Sequence, residues 1–240
     1  MMSTTLFLAS LLAPPVGAQA AHSTACESGS IVPVDRDSPF MLAAPHGDFD
    51  KQTAEIVDAA CTKLGWDCLV ARGQRTKAHQ VNVNRPTEGV KASDERRTAC
   101  AEAVFSAWKQ AAARLNPAPR LYVEVHGNVG KETKERVEVA VVGIGSEQAA
   151  RIRKVLLDAR AEHKLDWMGV WVEGPDPIKY KATSSKAWGQ LSLSTSALHF
   201  EFPKRAREGQ MENVYSFLAS SLADISRLEF STGPEQGKPQ

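Results

Sequence analysis

The sequence carries almost no surplus of either charge. Lys and Arg together number 29 and Asp and Glu 28, a formal net charge of +1. The basic footprint that nucleic-acid binding needs for its phosphate contacts is absent from such a balance. Cysteine is scarce, at four residues. None of the four sits in a Cys-x-x-Cys pair, which disfavours structural zinc of the paired-cysteine kind. Beyond the first 20 residues no apolar run reaches the length needed to cross a bilayer, so no stable membrane insertion is expected. No internal repeat is visible. Short catalytic motifs are missing too: there is no Gly-x-Ser-x-Gly elbow and no His-Glu-x-x-His. Gly143-Ile144-Gly145-Ser146 begins like a phosphate-binding turn, but the third glycine and the Walker lysine do not follow. It reads as a plain turn from strand to helix.

What remains is the composition of an ordinary globular protein, 42% hydrophobic and 24% charged. Residues 1–20 contain no charged side chain, hold an apolar stretch of signal-peptide length, and end in Ala18-Gln19-Ala20, a small-x-small cleavage pattern. The expectation is an exported protein, periplasmic or secreted. Residues 1–20 would be its signal peptide, 21–230 a single domain, and 231–240 a disordered tail rich in Gly, Pro and polar residues. In an oxidising compartment the cysteines can pair. Cys61 with Cys68, joined by the short turn Leu64-Gly65-Trp66-Asp67, is the favoured disulfide, which leaves Cys26 for Cys100.

Apolar β-rich runs alternate with helical stretches. Strands are predicted at residues 40–44, 68–71, 121–126, 137–143, 168–172 and 198–202. Several are short continuous apolar runs, which suits strands covered on both faces. Helices are predicted at residues 51–64, from a Ser93 cap to about Leu115, from a Ser146 cap onward, and at 211–228. The alternation predicts an α/β fold, a three-layer sandwich whose mostly parallel or mixed central sheet is covered by helices. Residues 174–190 read as a long loop of the kind that often forms a functional lid.

Four polar clusters punctuate this pattern: Pro45-His46-Gly47-Asp48-Phe49-Asp50, Asn82-Val83-Asn84-Arg85-Pro86, Glu124-Val125-His126-Gly127-Asn128, and His199-Phe200-Glu201-Phe202-Pro203. Three of them close predicted strands, and open α/β sheets bind ligands at the carboxyl ends of their strands. A catalytic zinc takes three protein ligands and keeps one position open. His46 and His126, each followed by glycine, are the candidate imidazoles. Asp50 is the favoured carboxylate because it can reach back from the first helical turn. Asp48 is the alternative, and either aspartate could instead cap the helix that follows. Glu124 shares a strand face with His126 and is placed to orient it. Glu201 lies between two phenylalanines, where an unpaired carboxylate is costly, so it needs a partner or a catalytic task. The competing partners are Lys204 and Arg205. Arg85 has the planar guanidinium that suits a substrate carboxylate.

In this order along the chain, the motifs resemble the N-formylglutamate amidohydrolase family and, more distantly, the zinc carboxypeptidase and aspartoacylase group. Pro45-His46-Gly47 looks like the first metal motif, Asn84-Arg85 like the substrate-anchoring pair, Val125-His126 like the later metal histidine, and Phe200-Glu201-Phe202 like the late-strand catalytic glutamate. The similarity spans about residues 40–207. One departure stands out: the zinc carboxypeptidases and aspartoacylases use His-x-x-Glu, and Phe49 occupies that glutamate's position. The resemblance implies one divalent zinc ion and hydrolysis of an amide bond near a carboxylate. Glu201 would move the proton, Arg85 would hold the substrate carboxylate, and Asn84 would add a further donor. N-formylglutamate hydrolysis is cytoplasmic, so an exported enzyme points to another substrate. Candidates are an N-acylated amino acid, a glutamyl polymer (poly-γ-glutamate depolymerases are similar in layout) or a cell-wall peptide. The rival readings are a metal-free periplasmic module that binds carboxylates and a structural envelope protein.

Overall fold

The computed structural model describes residues 29–229. The expected signal peptide, Cys26 and the tail from residue 231 lie outside the described residues.

Seven strands form one mixed sheet in the order β1-β3-β2-β7-β10-β8-β9. They are β1 (Ser30–Val34), β2 (Phe40–Ala44), β3 (Asp67–Arg72), β7 (Leu121–Asn128), β8 (Arg136–Val142), β9 (Gly169–Val172) and β10 (Ala197–Pro203). The central four, β3, β2, β7 and β10, run parallel. The edge strand β1 is antiparallel to β3, and β8 is antiparallel to β10. Helices α1 (Thr53–Leu64), α3 (Ser146–Glu162) and α6 (Met211–Ile225) contribute to the core on one face, and α2 (Ala99–Leu115) to the core on the other.

The continuous apolar runs follow from this layering. Along β2, Leu42 and Ala44 face the first core while Met41 and Ala43 face the second, so no position is left for a polar residue. The same alternation on β7 and β10 changes character towards their carboxyl ends. Leu121, Val123 and Val125, with Leu198, Phe200 and Phe202, fill the α1/α3/α6 side. The opposite side begins with Tyr122 and Ala197 in the α2 core and then turns polar with Glu124, His126, His199 and Glu201. Each fully buried phenylalanine contributes on the order of 2 kcal/mol, so the apolar face anchors strands whose other face is free to carry chemistry.

Several expectations need correction. The helix predicted from Ser93 begins at Ala99, because residues 92–94 form only a short 3₁₀ turn and Arg96–Arg97 is drawn into a strand. Thr98 is the cap, accepting from the Ala101 amide at 3.1 Å. Helix α3 has Gly145, not Ser146, at its N-cap. A second sheet, β4 (Val81–Asn82), β5 (Thr87–Glu88) and β6 (Arg96–Arg97), was not expected. The segment expected as a lid contains α4 (Thr183–Trp188), and α5 (Lys204–Gly209) follows β10 directly. That segment is tied down by carboxylates. Buried Glu138 accepts from the backbone amides of Lys179 and Tyr180 at 2.8 and 2.9 Å. Asp176 accepts from the Val172 amide, and Glu173 from the Val141 amide. Cys61 and Cys68 form a disulfide with their Cα atoms 6.1 Å apart. Cys100 is disulfide-bonded as well.

Candidate active site

The chain leaves β2 at Ala44 and turns tightly before α1. The Asp50 amide donates to the His46 carbonyl at 2.8 Å, and this turn folds the Asp50 side chain back over the His46 ring. Asp50 Oδ2 lies 3.2 Å from His46 Nδ1 and 3.5 Å from His126 Nδ1, and the two Nδ1 atoms are 3.2 Å apart. Asp50, one residue after Phe49, thus brings a carboxylate within 3.5 Å of both Nδ1 atoms. Asp48 points elsewhere and pairs with Arg72 at 3.1 Å. Neither aspartate caps α1, whose N-cap is Gln52 with φ 67°.

These three atoms pass a simple test for a metal site. Ligands of a tetrahedral zinc at bond lengths of about 2.0–2.1 Å stand about 3.3–3.4 Å from one another. The observed separations of 3.2, 3.2 and 3.5 Å bracket that edge length. Two imidazoles and a carboxylate also form an ordinary donor set for a hydrolytic zinc.

Behind the triad lies a buried polar network set by strand register. His199 pairs with Glu124 and Glu201 with His126 across β10 and β7, so the four side chains sit side by side on one face. Glu124 is fully buried. Its Oε2 accepts from Asn84 Nδ2 at 2.8 Å and lies 3.3 Å from His126 Nε2 and 3.2 Å from His199 Nδ1. Its Oε1 accepts from the Tyr122 hydroxyl at 3.0 Å. The four contacts engage both oxygens, three on Oε2 and one on Oε1. A carboxylate only accepts, so His126 Nε2 is a donor, and Nδ1 is the nitrogen that can offer a lone pair once its proton is lost. Glu124, His126 and His199 are close enough to form a second metal-binding group, in which Glu124 Oε2 is already shared among three protein donors.

Electrostatics sort the groups further. Burial drives the His46 imidazole down to about 3 despite the attraction of Asp50, so it is a neutral imidazole at any physiological pH. For His126, burial is outweighed by hydrogen bonds with Asp50 and Glu124, which raise it to about 9. Burial also works against the charge on Asp50, yet the two histidines hold it below the usual carboxylate range. Glu124 is likewise disfavoured by burial and held low by His126 and His199.

The two glycines after the histidines serve packing rather than a bound group. A Cβ on Gly47 would run into the Ala71 carbonyl and Ala54, and one on Gly127 into the Arg207 guanidinium. Arg207 itself is buried and donates to the carbonyls of Asp50, Lys51, Phe202 and Asn128, fastening the Asp50 turn to the sheet.

A cleft of about 410 Å³ opens over the triad, lined among others by His46, Asp50, Arg75, Arg85, His126, Tyr180, Lys181 and Glu201. Neither expected partner of Glu201 is engaged with it. Lys204 pairs with Glu208, Arg205 stacks on Trp167, and Glu201 Oε1 instead lies 3.3 Å from His199 Nε2. Asn84 is placed differently from the expectation of a substrate donor. It is fully buried, with its amide nitrogen on Glu124 and its oxygen accepting from Arg85 at 3.1 Å. Arg85 does reach the cleft, but its Nε and Nη2 are held by Glu95 at 3.1 and 2.7 Å. Arg75, a buried cation in the cleft wall, stacks over Phe49 at 4.8 Å and donates to backbone carbonyls of the loop that carries β4 and β5. No motif marked it, because its role comes from contacts with a loop that follows it.

The sequence matches no family model, and no curated protein is significantly similar to it. The fold has relatives among solved structures. It is similar to a protein described as "YNDL-apo (Zinc-free)", with a TM-score of 0.55 and 12% sequence identity over 85% of this chain and 93% of that one. It is also similar to a bacteriophage poly-γ-glutamate hydrolase, with a TM-score of 0.55 and 10% identity over 84% of this chain and 91% of that one. A third similar structure is the gene product Atu2144 from Agrobacterium tumefaciens, with a TM-score of 0.50 and 11% identity over 85% and 96% of the two chains. At these identities the likeness is one of fold. The comparisons do not bear out the specific resemblance to the N-formylglutamate amidohydrolases.

Proposed function

We propose that this chain is an exported zinc-dependent hydrolase that cleaves an amide bond next to a carboxylate, in an N-acylated amino acid, a glutamyl polymer or a cell-wall peptide. The observation that carries this reading is the convergence of His46 Nδ1, Asp50 Oδ2 and His126 Nδ1 at tetrahedral spacing, with Glu201 beside them in the same cleft. Two fold relatives lend support: one is described as a zinc-free form and the other as a poly-γ-glutamate hydrolase. The Cys61–Cys68 disulfide suits an oxidising compartment. Among the described residues no helix is long and apolar enough to cross a membrane.

His46, Asp50 and His126 would hold the ion. When bound, zinc lowers the pKa of its water towards ~7 and polarises the carbonyl under attack. Glu201 takes the proton of the attacking water and passes it to the leaving amine. Glu124 keeps His126 in the tautomer that presents Nδ1. Lys181 at the exposed rim, and the Nη hydrogens of Arg85 not used by Glu95, supply positive charge for the substrate carboxylate. Arg75 and Arg207 hold the loops that bear these groups.

The test is turnover of N-formyl-L-glutamate and of a γ-linked oligoglutamate. Turnover should vanish on chelation and return with zinc; turnover indifferent to the chelator contradicts the reading. A carboxylate-binding module would bind such ligands without hydrolysing them.

Zinc binding should also move a proton. In the metal-free protein His126 keeps its charge up to about pH 9, and a ligating nitrogen must give its proton up. His46 has none to lose above about pH 3. Zinc affinity is therefore expected to rise about tenfold per pH unit up to about pH 9. Calorimetric titrations at pH 6 in buffers of different ionisation enthalpy should show about one proton released per zinc. A slope of zero would mean that His126 is not charged in the free protein or is not a ligand.

A further inference from the structure

His199 has no part in the mechanism above, yet it is buried at the centre of the site, 6% exposed. Its ring spans two carboxylates, with Nδ1 3.2 Å from Glu124 Oε2 and Nε2 3.3 Å from Glu201 Oε1. It also packs against the His126 ring, with centroids 4.3 Å apart. Among the described residues, His199 is the one side chain hydrogen-bonded to the Glu201 carboxylate. Asn128 Nδ2 reaches only the Glu201 backbone carbonyl, at 3.2 Å. Glu201 is part-exposed to the cleft, and a long flexible carboxylate there keeps its rotamer freedom unless a neighbour removes it.

The geometry points to His199 as a positioning residue that fixes the Glu201 carboxylate beside His126, braced from behind by buried Glu124. The inference rests on the hydrolytic reading of the cleft, since it gives Glu201 a proton to move. It assigns His199 to the orientation of Glu201 rather than to the metal. A misplaced general base costs turnover on the order of 10²-fold while leaving the cations of the cleft wall, and hence substrate binding, unchanged.

Two substitutions separate the two edges of the ring. The amide nitrogen of asparagine falls near Nδ1 of histidine, and that of glutamine near Nε2. His199→Asn keeps the contact with Glu124 and loses Glu201; His199→Gln does the reverse. The expected result, on N-formyl-L-glutamate and a γ-linked oligoglutamate, is that His199→Asn keeps zinc and KM within about twofold while kcat falls on the order of 10²-fold. His199→Gln should recover most of that loss. Parental kcat in His199→Asn, or equal loss in both variants, overturns the inference. So does loss of zinc in His199→Asn that matches its loss of turnover, because His199 would then act on the metal site.

A readout that needs no substrate runs in parallel. In the nitrogen NMR spectrum of the histidine side chains, Glu201→Ala, which removes the acceptor, should shift His199 Nε2; an unmoved Nε2 also overturns the inference. Failure of the hydrolytic reading looks different. In that case the parental protein itself turns over neither substrate, whereas parental turnover in Glu201→Gln removes Glu201 from the mechanism and overturns the inference with it. If Glu201→Gln is inactive and His199→Asn is not, only the role of His199 fails.

Discussion

Glu201→Gln is expected to keep its zinc and to lose about 10²–10⁴-fold in kcat, the usual contribution of a positioned general base. Glutamine fills the same volume and can still meet His199 through its side-chain oxygen. The group proposed to hold the metal is His46, Asp50 and His126, and the substitution leaves all three in place. What disappears is the ability to accept a proton. The apolar neighbours Phe200 and Phe202 face the opposite core, so the strand carrying Glu201 has no reason to move. Measured kcat, KM and bound zinc check this together. Parental turnover would remove Glu201 from the mechanism, and loss of zinc would make it a ligand.

Glu124→Ala is expected to be the most destabilising single change in the site. The carboxylate is fully buried and gathers Asn84, Tyr122, His126 and His199. Removing it leaves those donors without an acceptor in a dry interior, at a cost of about 3–5 kcal/mol. For a domain of this size each kcal/mol lowers Tm by about 2–4 °C, so a drop of about 10 °C is expected in a melting experiment. Zinc affinity should weaken by about 10–100-fold as well, since His126 loses the partner that fixes its tautomer. A variant that melts within about 2 °C of the parent would mean that the network carries little of the fold.

The residues readable in advance were those whose signal is local. Phe40–Ala44 is apolar at nearly every position because both faces of β2 are buried, and a run of that kind stands out without any partner in view. His46 and His126 stood out because an imidazole and a glycine closed such runs. The edge strand Ser30–Val34 did not: it is largely exposed and interrupted by Pro33, which an edge tolerates and a periodicity reading penalises. The two-residue strands β4, β5 and β6 are too short to show a period at all. Ser93 was mistaken for a cap because the acidic residues after it suit a first helical turn, whereas Glu95 is in fact the partner of Arg85.

The same distinction holds within the site. Glu124, as a partner for His126, followed from alternation along one strand. That His199 joins Glu124 to Glu201 depends on the register of β10 against β7, two strands about 75 residues apart, and nothing in either segment alone encodes it. Arg85 and Asn84 were singled out from their motif, but the partners that hold them, Glu95 and Glu124, could not be read from it. Sequence lists a guanidinium's possible partners without showing that Glu95 has already taken one edge of it.

The central claim is that His46, Asp50 and His126 hold one zinc. The most direct measurement is the zinc content of the purified protein by elemental analysis, alongside His46→Ala and His126→Ala. The account predicts about one zinc per chain, as a single catalytic site requires, and none in either variant. A protein that stays metal-free after zinc is supplied, or variants that keep full occupancy, would contradict it.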